Sequence, residues 1–93
     1  MGRAARLRPS RLPEKLLYIR DTLGLSQNEI IREMGLDEVL YRNNISGFET
    51  GERVPQLLVL LRYARVAGIC VDLLIDDELD LPKKLPGTPK HVG

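Results

Sequence analysis

Cys70 and His91 are the only cysteine and the only histidine of the chain, so they are the first candidates for nucleophilic or metal chemistry. A thiol near the start of a helix ionises more easily, and Cys70 directly precedes a short apolar segment. Nothing pairs it with His91, which stands in a proline-rich terminus. One cysteine also excludes an internal disulfide and a cysteine-based zinc site. We therefore expect no enzyme activity, no catalytic residue, no metal and no cofactor, and no small-molecule substrate is evident.

Charged residues are unevenly distributed, although the formal net charge is only +1. Residues 1–20 carry six basic side chains and one acidic side chain, whereas residues 66–81 carry five acidic side chains and no basic one. The acidic group at 76–80 lacks the glycine and the ligand spacing of a calcium-binding loop. We interpret it as a solvated face or as a surface that repels DNA, and the molecule as electrically polarised.

The 93 residues are enough for one domain, and 43% hydrophobic with 29% charged residues is typical of a soluble globular protein. No apolar run approaches the roughly 20 residues of a membrane span, and the basic N-terminus lacks the apolar part of a signal peptide. The sequence predicts a cytoplasmic protein with no membrane contact. We divide it into a basic N-terminal arm (1–11), a helical domain (12–81) and a Pro-rich tail (82–93).

Apolar spacing predicts the first helix over Leu12–Leu23. Leu12, Leu16, Ile19 and Leu23 recur on one helical face, and Pro13 suits a first helical position. A second helix follows, because Ser26 and Glu29 form a capping box and Gly35 is a stop signal.

The stretch 36–44 allows two interpretations. Asp37 could cap a helical turn at 37–41 that continues into the third helix, or 36–41 could form an irregular turn before a helix that starts near Arg42. We prefer the first. Ile45 and Phe48 then share the buried face, and Gly51 closes the helix. Gly47 costs about 1 kcal/mol against alanine inside a helix, which indicates a local reason such as the close approach of another backbone.

The buried positions of the third helix leave a set of polar side chains for solvent or a partner: Arg42, Asn43, Asn44 and Ser46. Pro55 is expected to open a fourth helix that runs to about Ala67 and carries a leucine-rich stripe. Gly68 ends it, and a short fifth helix follows at 71–75. The predicted class is all-α with five helices.

Three segments in the right order resemble the Cro/repressor helix-turn-helix family, also called the xenobiotic-response-element family. They are L-x-x-I-R followed by G-L-S-Q-N-E-I (Leu16 to Ile30), N-I-S-G-F-E-T-G (Asn44 to Gly51) and the run from Pro55 to Leu74. The resemblance covers about Leu12 to Ile75 and implies a phage-repressor-like fold, with the helix-turn-helix formed by the second and third helices.

The resemblance also implies functional roles. By position, the third helix would read base edges in the major groove of double-stranded DNA with Arg42, Asn43, Asn44 and Ser46. Arginine can donate two hydrogen bonds to guanine, and asparagine can pair with adenine. Gln27, Thr50 and Arg53 match phosphate contacts, to which the arm would add Arg8 and Arg11. Arg20 and Glu49 match an ion pair that ties the first helix to the end of the third.

We therefore expect a sequence-specific DNA-binding transcriptional regulator, with repression as its expected effect, that acts as a homodimer. Candidate dimer contacts, which could equally complete the core, are Leu73, Ile75, Leu79 and Leu81. The chain departs from the family in a segment between Gly35 and Ile45 that is about four residues longer, roughly one helical turn. This departure, the acidic segment and the low net charge favour the rival interpretation, a protein-interaction module such as an antitoxin or adaptor on the same scaffold.

Overall fold

The computed structural model describes residues 7–87. Within that range the chain forms no strand and five helices, which confirms the all-α class; they are α1 (Leu12–Thr22), α2 (Gln27–Glu33), α3 (Arg42–Thr50), α4 (Leu57–Ala67) and α5 (Asp72–Ile75). Helix α1 packs against α3 and α5, and α2 packs against α3. Residues 1–6 of the predicted arm and 88–93 of the predicted tail, including His91, lie outside the described range.

The apolar stripe of α1 lies in the core as its spacing predicts. Leu16 and Ile19 are fully buried, and they share the core with Ile45 of α3 and Leu74 of α5. Burying such side chains is worth roughly 1.5–3 kcal/mol each. This packing holds α3 against α1.

Helix α2 begins at the predicted capping box. The Glu29 N–H donates to Ser26 Oγ (3.1 Å), and the Ser26 N–H donates to Glu29 Oε1 (2.8 Å). Arg62 of α4 donates to the Met34 carbonyl (2.6 Å) at the other end. Because seven residues are too few for an independent helix, α2 depends on these caps and on its buried isoleucines.

The preferred interpretation of 36–44 is wrong, and the alternative is right. One turn forms where the Val39 and Leu40 N–H groups donate to the Leu36 carbonyl (2.9 and 2.8 Å), but it does not continue into α3. Tyr41 is extended (φ −117°, ψ 164°), and α3 begins at Arg42. The reason is local: the side chain of Asn44 accepts the Tyr41 N–H (2.8 Å), which provides a cap that a continuous helix would not use.

Helix α4 starts at Leu57, so the prediction that Pro55 opens it is also wrong. Gln56 is extended (ψ 161°), and its carbonyl accepts two N–H groups of the first helical turn, from Val59 and Leu60 (both 3.0 Å). Pro55 is buried outside the helix. Gly68 ends α4 at a positive φ of 75°, as predicted.

The described part of the tail packs on the domain. Leu85 is only 7% exposed and belongs to the core, and the Gly87 N–H donates to the Ala67 carbonyl (2.8 Å) at the end of α4. A Cβ on Gly87 would overlap the Val66 carbonyl oxygen, so this close backbone approach requires glycine. Tyr18 of α1 adds a hydrogen bond to the Lys83 carbonyl (2.9 Å).

Candidate nucleic-acid interface

The first turn of α3 carries polar side chains on its outer face. Arg42, Asn43 and Ser46 are exposed, and no hydrogen bond or ion pair engages their side chains within residues 7–87. Ser46 follows Asn43 by three positions and Arg42 by four, and these two spacings place side chains next to each other on a helix surface. A guanidinium, an amide and a hydroxyl are therefore presented together, with donors and an acceptor free for another molecule.

Asn44, the fourth of the predicted base contacts, has a different environment. It is half-buried, its Oδ1 accepts the Tyr41 N–H (2.8 Å), and its own N–H donates to the Tyr41 carbonyl (2.9 Å). A bidentate contact with adenine uses both the oxygen and the nitrogen of the amide. In this conformation one of the two lone pairs of the Asn44 amide oxygen is already used at the start of α3, whereas the amide nitrogen is not used within residues 7–87.

A charged cluster fixes α3 relative to α1 and α2. Arg20 donates to both carboxylate oxygens of Glu49, from Nε to Oε2 (2.6 Å) and from Nη2 to Oε1 (3.0 Å), and from Nη1 to the Leu25 carbonyl (3.1 Å). Its hydrogen bonds with Glu49 raise the pKa of Arg20. The side chain of Glu49 is 7% exposed, so this two-point pair is shielded from water.

Gln27 joins the same cluster. Its Nε2 donates to Glu49 Oε1 (3.3 Å), and the residue is half-buried at the start of α2. The resemblance assigns it a phosphate contact. In this structure its side-chain nitrogen instead links the start of α2 to the end of α3.

The space above Gly47 is filled by a side chain. A Cβ at Gly47 would lie 2.9 Å from Arg53 Cδ and 3.1 Å from Arg53 Cγ. The Gly47 carbonyl also accepts the Arg53 N–H (3.1 Å) and the Thr50 hydroxyl (3.2 Å). The expected close approach is therefore real, but the stem of Arg53 makes it rather than a backbone. The absence of a side chain at Gly47 therefore allows the loop after α3 to fold back over the helix, which defines the position of the backbone and stem of Arg53.

The end of the arm reaches the same loop. Arg8 donates from Nη2 to the Gly51 carbonyl (3.1 Å). Arg8, Thr50 and Arg53 line one cavity of about 350 Å³ between the arm, the end of α3 and the loop that follows. Three of the five predicted phosphate contacts thus lie around one cavity.

Arg11 lies elsewhere, against the acidic segment. It donates from Nη1 to the Asp77 carbonyl (2.8 Å) and from Nη2 to Asp80 Oδ1 (2.7 Å), and it lies 3.5 Å from Glu14. The hydrogen bond with Asp80 is the main reason that the pKa of Arg11 is raised. The positive charge of Arg11 is already paired with Asp80 and Glu14, so Arg11 is a weaker candidate for a phosphate contact than Arg8 or Arg53.

Lys15 is an organising residue that sequence analysis missed. It is 2% exposed, and its Nζ donates to the carbonyls of Leu73 (2.7 Å), Asp76 (2.8 Å) and Leu79 (2.8 Å). Burial lowers the pKa of the ammonium group. A signal for this role existed: Lys15 follows Leu12 by three residues, so it falls within the apolar stripe of α1 rather than on its outer face.

Cys70 is an exposed free thiol, and within residues 7–87 no group of three or more histidine, cysteine, aspartate or glutamate side chains is arranged to hold a metal ion. No helix of that range is long and apolar enough to cross a bilayer. Comparisons of the chain with protein-family models, curated proteins and solved structures found no match.

Proposed function

We propose that this protein is a sequence-specific double-stranded DNA-binding transcriptional regulator that represses transcription. Helix α3 enters the major groove of its site. Arg42, Asn43 and Ser46 contact base edges, and Asn44 adds its amide nitrogen. The arm and the loop after α3 hold the DNA backbone.

One observation carries this proposal: exposed, uncommitted polar side chains stand on the first turn of a helix whose other end is fixed by a shielded ion pair. Among residues 7–87 nothing bonds to the side chains of Arg42 and Asn43, whereas Glu49 at the end of α3 is bonded to Arg20 and Gln27. A recognition helix needs such a fixed support, because its side chains can distinguish bases only when their position relative to the groove is defined.

Backbone contacts are the second part of the proposal. Arg8, Thr50 and Arg53 surround one cavity, and the described residues that line it include no acidic side chain. Arginine and hydroxyl groups are frequent partners of phosphate oxygens, and such contacts set the position of a protein on the duplex. We expect affinity to fall steeply as salt rises, because each neutralised phosphate releases counterions.

A homodimer completes the proposal, since one module of this size reads a short half-site and two-fold symmetry doubles its contacts. Among the candidate contacts, Ile75 and Leu79 are 43% and 38% exposed, whereas Leu73 and Leu81 are half-buried. Ile75 and Leu79 are therefore the better candidates for contact with a second copy. Sedimentation velocity of an Ile75→Asp/Leu79→Asp variant tests this, and an unchanged dimer would exclude this surface.

The experiment for DNA binding is a fluorescence-anisotropy titration with a library of random-sequence duplexes, followed by sequencing of the bound fraction. Wild type is compared with Arg42→Ala/Asn43→Ala. The matched control is Arg65→Ala, which removes one positive charge from an exposed position on α4. We expect the wild type and the control to enrich the same palindromic site.

The double variant should retain weak, salt-sensitive binding but lose the enrichment. Loss of a bidentate base contact costs about 1–3 kcal/mol of discrimination. Enrichment of the same site by the double variant would exclude α3 as the reader. Wild-type binding without any enrichment would exclude sequence-specific recognition.

A second candidate function, protein binding, is favoured by a different observation. Large apolar side chains are exposed at the turn before α3 and at the start of α4: Val39 (66%), Tyr41 (73%), Leu57 (82%) and Leu58 (73%). Exposed apolar side chains that are neighbours, as Leu57 and Leu58 are in the chain, often mark protein contacts. A Leu57→Ser/Leu58→Ser variant that keeps DNA selection unchanged would separate this surface from the proposed DNA site.

A further inference from the structure

The acidic segment is bonded to the end of the arm. Asp77 Oδ2 accepts the Ser10 N–H and the Ser10 hydroxyl (both 2.9 Å), and Asp77 Oδ1 accepts the Arg11 N–H (3.0 Å). Arg11 is the residue before α1, and its own side chain makes no cap. The carboxylate of Asp77 thus supplies, from a distant part of the chain, the acceptor that the entry to α1 lacks.

The acidic segment is itself held in place. The buried Lys15 ammonium group donates to three backbone carbonyls (2.7–2.8 Å). Those of Asp76 and Leu79 belong to the acidic segment at 76–80, and that of Leu73 lies just before it. Within the segment, the Glu78 N–H donates to Asp76 Oδ1 (2.9 Å). Asp77 therefore presents its carboxylate from a fixed turn.

Fixing Ser10 and Arg11 sets the direction of the residues that precede them. Arg8 lies two residues before Ser10, and it bonds to the Gly51 carbonyl (3.1 Å) at the cavity that it shares with Arg53. That bond uses one of the five N–H donors of its guanidinium. Arg53 forms no ion pair within residues 7–87, and no acidic residue lines the cavity, so two positive charges are left without an anion.

We propose that Asp77, assisted by Asp80, positions the arm so that Arg8 and Arg53 together form a binding site for a phosphate oxyanion. This inference rests on the proposed function, in which the oxyanion is a phosphodiester of the DNA backbone. The acidic segment then supports anion binding through the arm, although its own charge is negative. Asp77 is a positioning residue and does not contact the anion.

Removal of Asp77 should change the affinity for DNA in the direction opposite to that expected from its charge alone. Deleting a negative charge from a DNA-binding protein strengthens its attraction to phosphate within a Debye length of about 8–10 Å. Deleting Asp77 should weaken it, because the arm loses its attachment and Arg8 leaves the cavity. Glu78 provides the matched control: it is exposed in the same segment, and its side chain makes no hydrogen bond or ion pair within the described residues.

The experiment measures duplex affinity from 50 to 300 mM salt for wild type and for Asp77→Ala, Glu78→Ala, Arg8→Ala and Asp77→Ala/Arg8→Ala. We expect Asp77→Ala and Arg8→Ala each to weaken binding about 3- to 10-fold and to lower the slope of log K against log salt by about 1, while Glu78→Ala binds as well as wild type or better. The double variant should bind like Arg8→Ala, because both changes remove one contact.

An Asp77→Ala protein that binds like Glu78→Ala would overturn the proposal, and so would additive losses in the double variant. Circular dichroism checks that Asp77→Ala is folded. If the Asp77→Ala protein is unfolded, Asp80→Ala replaces it in the experiment. Asp80 is exposed, and this substitution removes only its ion pair with Arg11 (2.7 Å). We expect the same direction with a smaller loss, and unchanged or stronger binding would contradict the role.

Inorganic phosphate separates this inference from the DNA proposal. Titration of the wild type should shift the backbone amide resonances of Thr50 and Gly51, and Asp77→Ala or Arg8→Ala should remove those shifts. Phosphate-dependent shifts without any duplex binding would keep the anion site and reject the proposed function. Duplex binding without these shifts, and without an effect of Asp77→Ala, would keep the function and reject the site.

Discussion

Arg20 and Glu49 are joined at two points, with Nε 2.6 Å from one carboxylate oxygen and Nη2 3.0 Å from the other. The pair links the last turn of α1 to the last turn of α3, and its side chains are 20% and 7% exposed. Such a planar, shielded arrangement defines distance and angle together. The position of the proposed recognition helix therefore depends on a contact at its far end.

Removing one partner of this pair should destabilise the protein strongly. Glu49→Ala leaves the Arg20 guanidinium partly buried without its carboxylate, so we expect the free energy of unfolding to fall by about 3 kcal/mol. Urea denaturation followed by circular dichroism measures it. The control is Arg20→Met/Glu49→Leu, which removes both charges and should recover most of the loss. A double variant as unstable as Glu49→Ala would show that packing, not the unpaired charge, causes the effect.

Gly47→Ala should have different effects on stability in the wild type and in an Arg53→Ala background. In the wild type the added Cβ would lie 2.9 Å from Arg53 Cδ, so Arg53 must move and the helix propensity gained is offset. In an Arg53→Ala background the space is open, and the substitution should stabilise the protein by up to about 1 kcal/mol. Denaturant midpoints of the four proteins measure this coupling. Equal effects of Gly47→Ala in both backgrounds would exclude Arg53 as the reason for the glycine.

The stabilisation that Asp77 provides should depend on pH. Hydrogen bonds from Ser10 and Arg11 hold the pKa of Asp77 below its ordinary value of 3.8. The folded state then binds fewer protons than the unfolded state, so the stabilisation is present above about pH 3.8 and is lost as the pH falls through the lower folded pKa.

The measurement is the difference in Tm between wild type and Asp77→Asn from pH 8 to pH 2.5. We expect a constant gap above about pH 5 that narrows in stronger acid. A gap that persists to the lowest pH would assign the effect to hydrogen-bond geometry rather than to charge. Glu78→Gln serves as the control, and its Tm should follow the wild type throughout.

Leu85 should contribute to stability although it lies in a segment of tail composition. Its side chain is 7% exposed and belongs to the core cluster, so Leu85→Ala should cost about 2–3 kcal/mol of unfolding free energy. Lys84→Ala, at an exposed neighbour, should change it by less than about 0.5 kcal/mol. Urea denaturation compares the two. An equally small effect at both positions would show that the tail does not pack as described.

Local signals accounted for the face of α1, the start of α2 and the end of α4. The stripe from Leu12 to Leu23, the capping box of Ser26 and the stop at Gly68 were all readable, because a helical repeat and a cap involve residues at most a few positions apart. The start of α3 was not predicted correctly, because two residues near the turn at 36–41 could each provide a helix cap. Asp37 can start a helix, but Asn44 satisfies the Tyr41 N–H and places the start at Arg42.

The roles of the charged residues depended on longer distances along the chain. Composition alone indicated a basic arm and an acidic segment, and it favoured interpreting the acidic segment as a solvated face or as a surface that repels DNA. The structure joins them: Arg11 bonds to Asp80 across 69 positions, and Lys15 bonds to the Leu73 carbonyl across 58. No local spacing encodes such partners.

The sequence by itself determined the all-α class, the helical faces and the polar set that begins with Arg42, because periodicity and capping are short-range properties of the chain. Only the tertiary structure decided which charges serve the protein's own architecture and which remain free. Arg11 and Lys15 are used internally, whereas Arg8 and Arg53 surround a cavity without an acid. The reason is that a charge is neutralised by whatever packing brings within hydrogen-bond distance, and packing is a property of the whole fold.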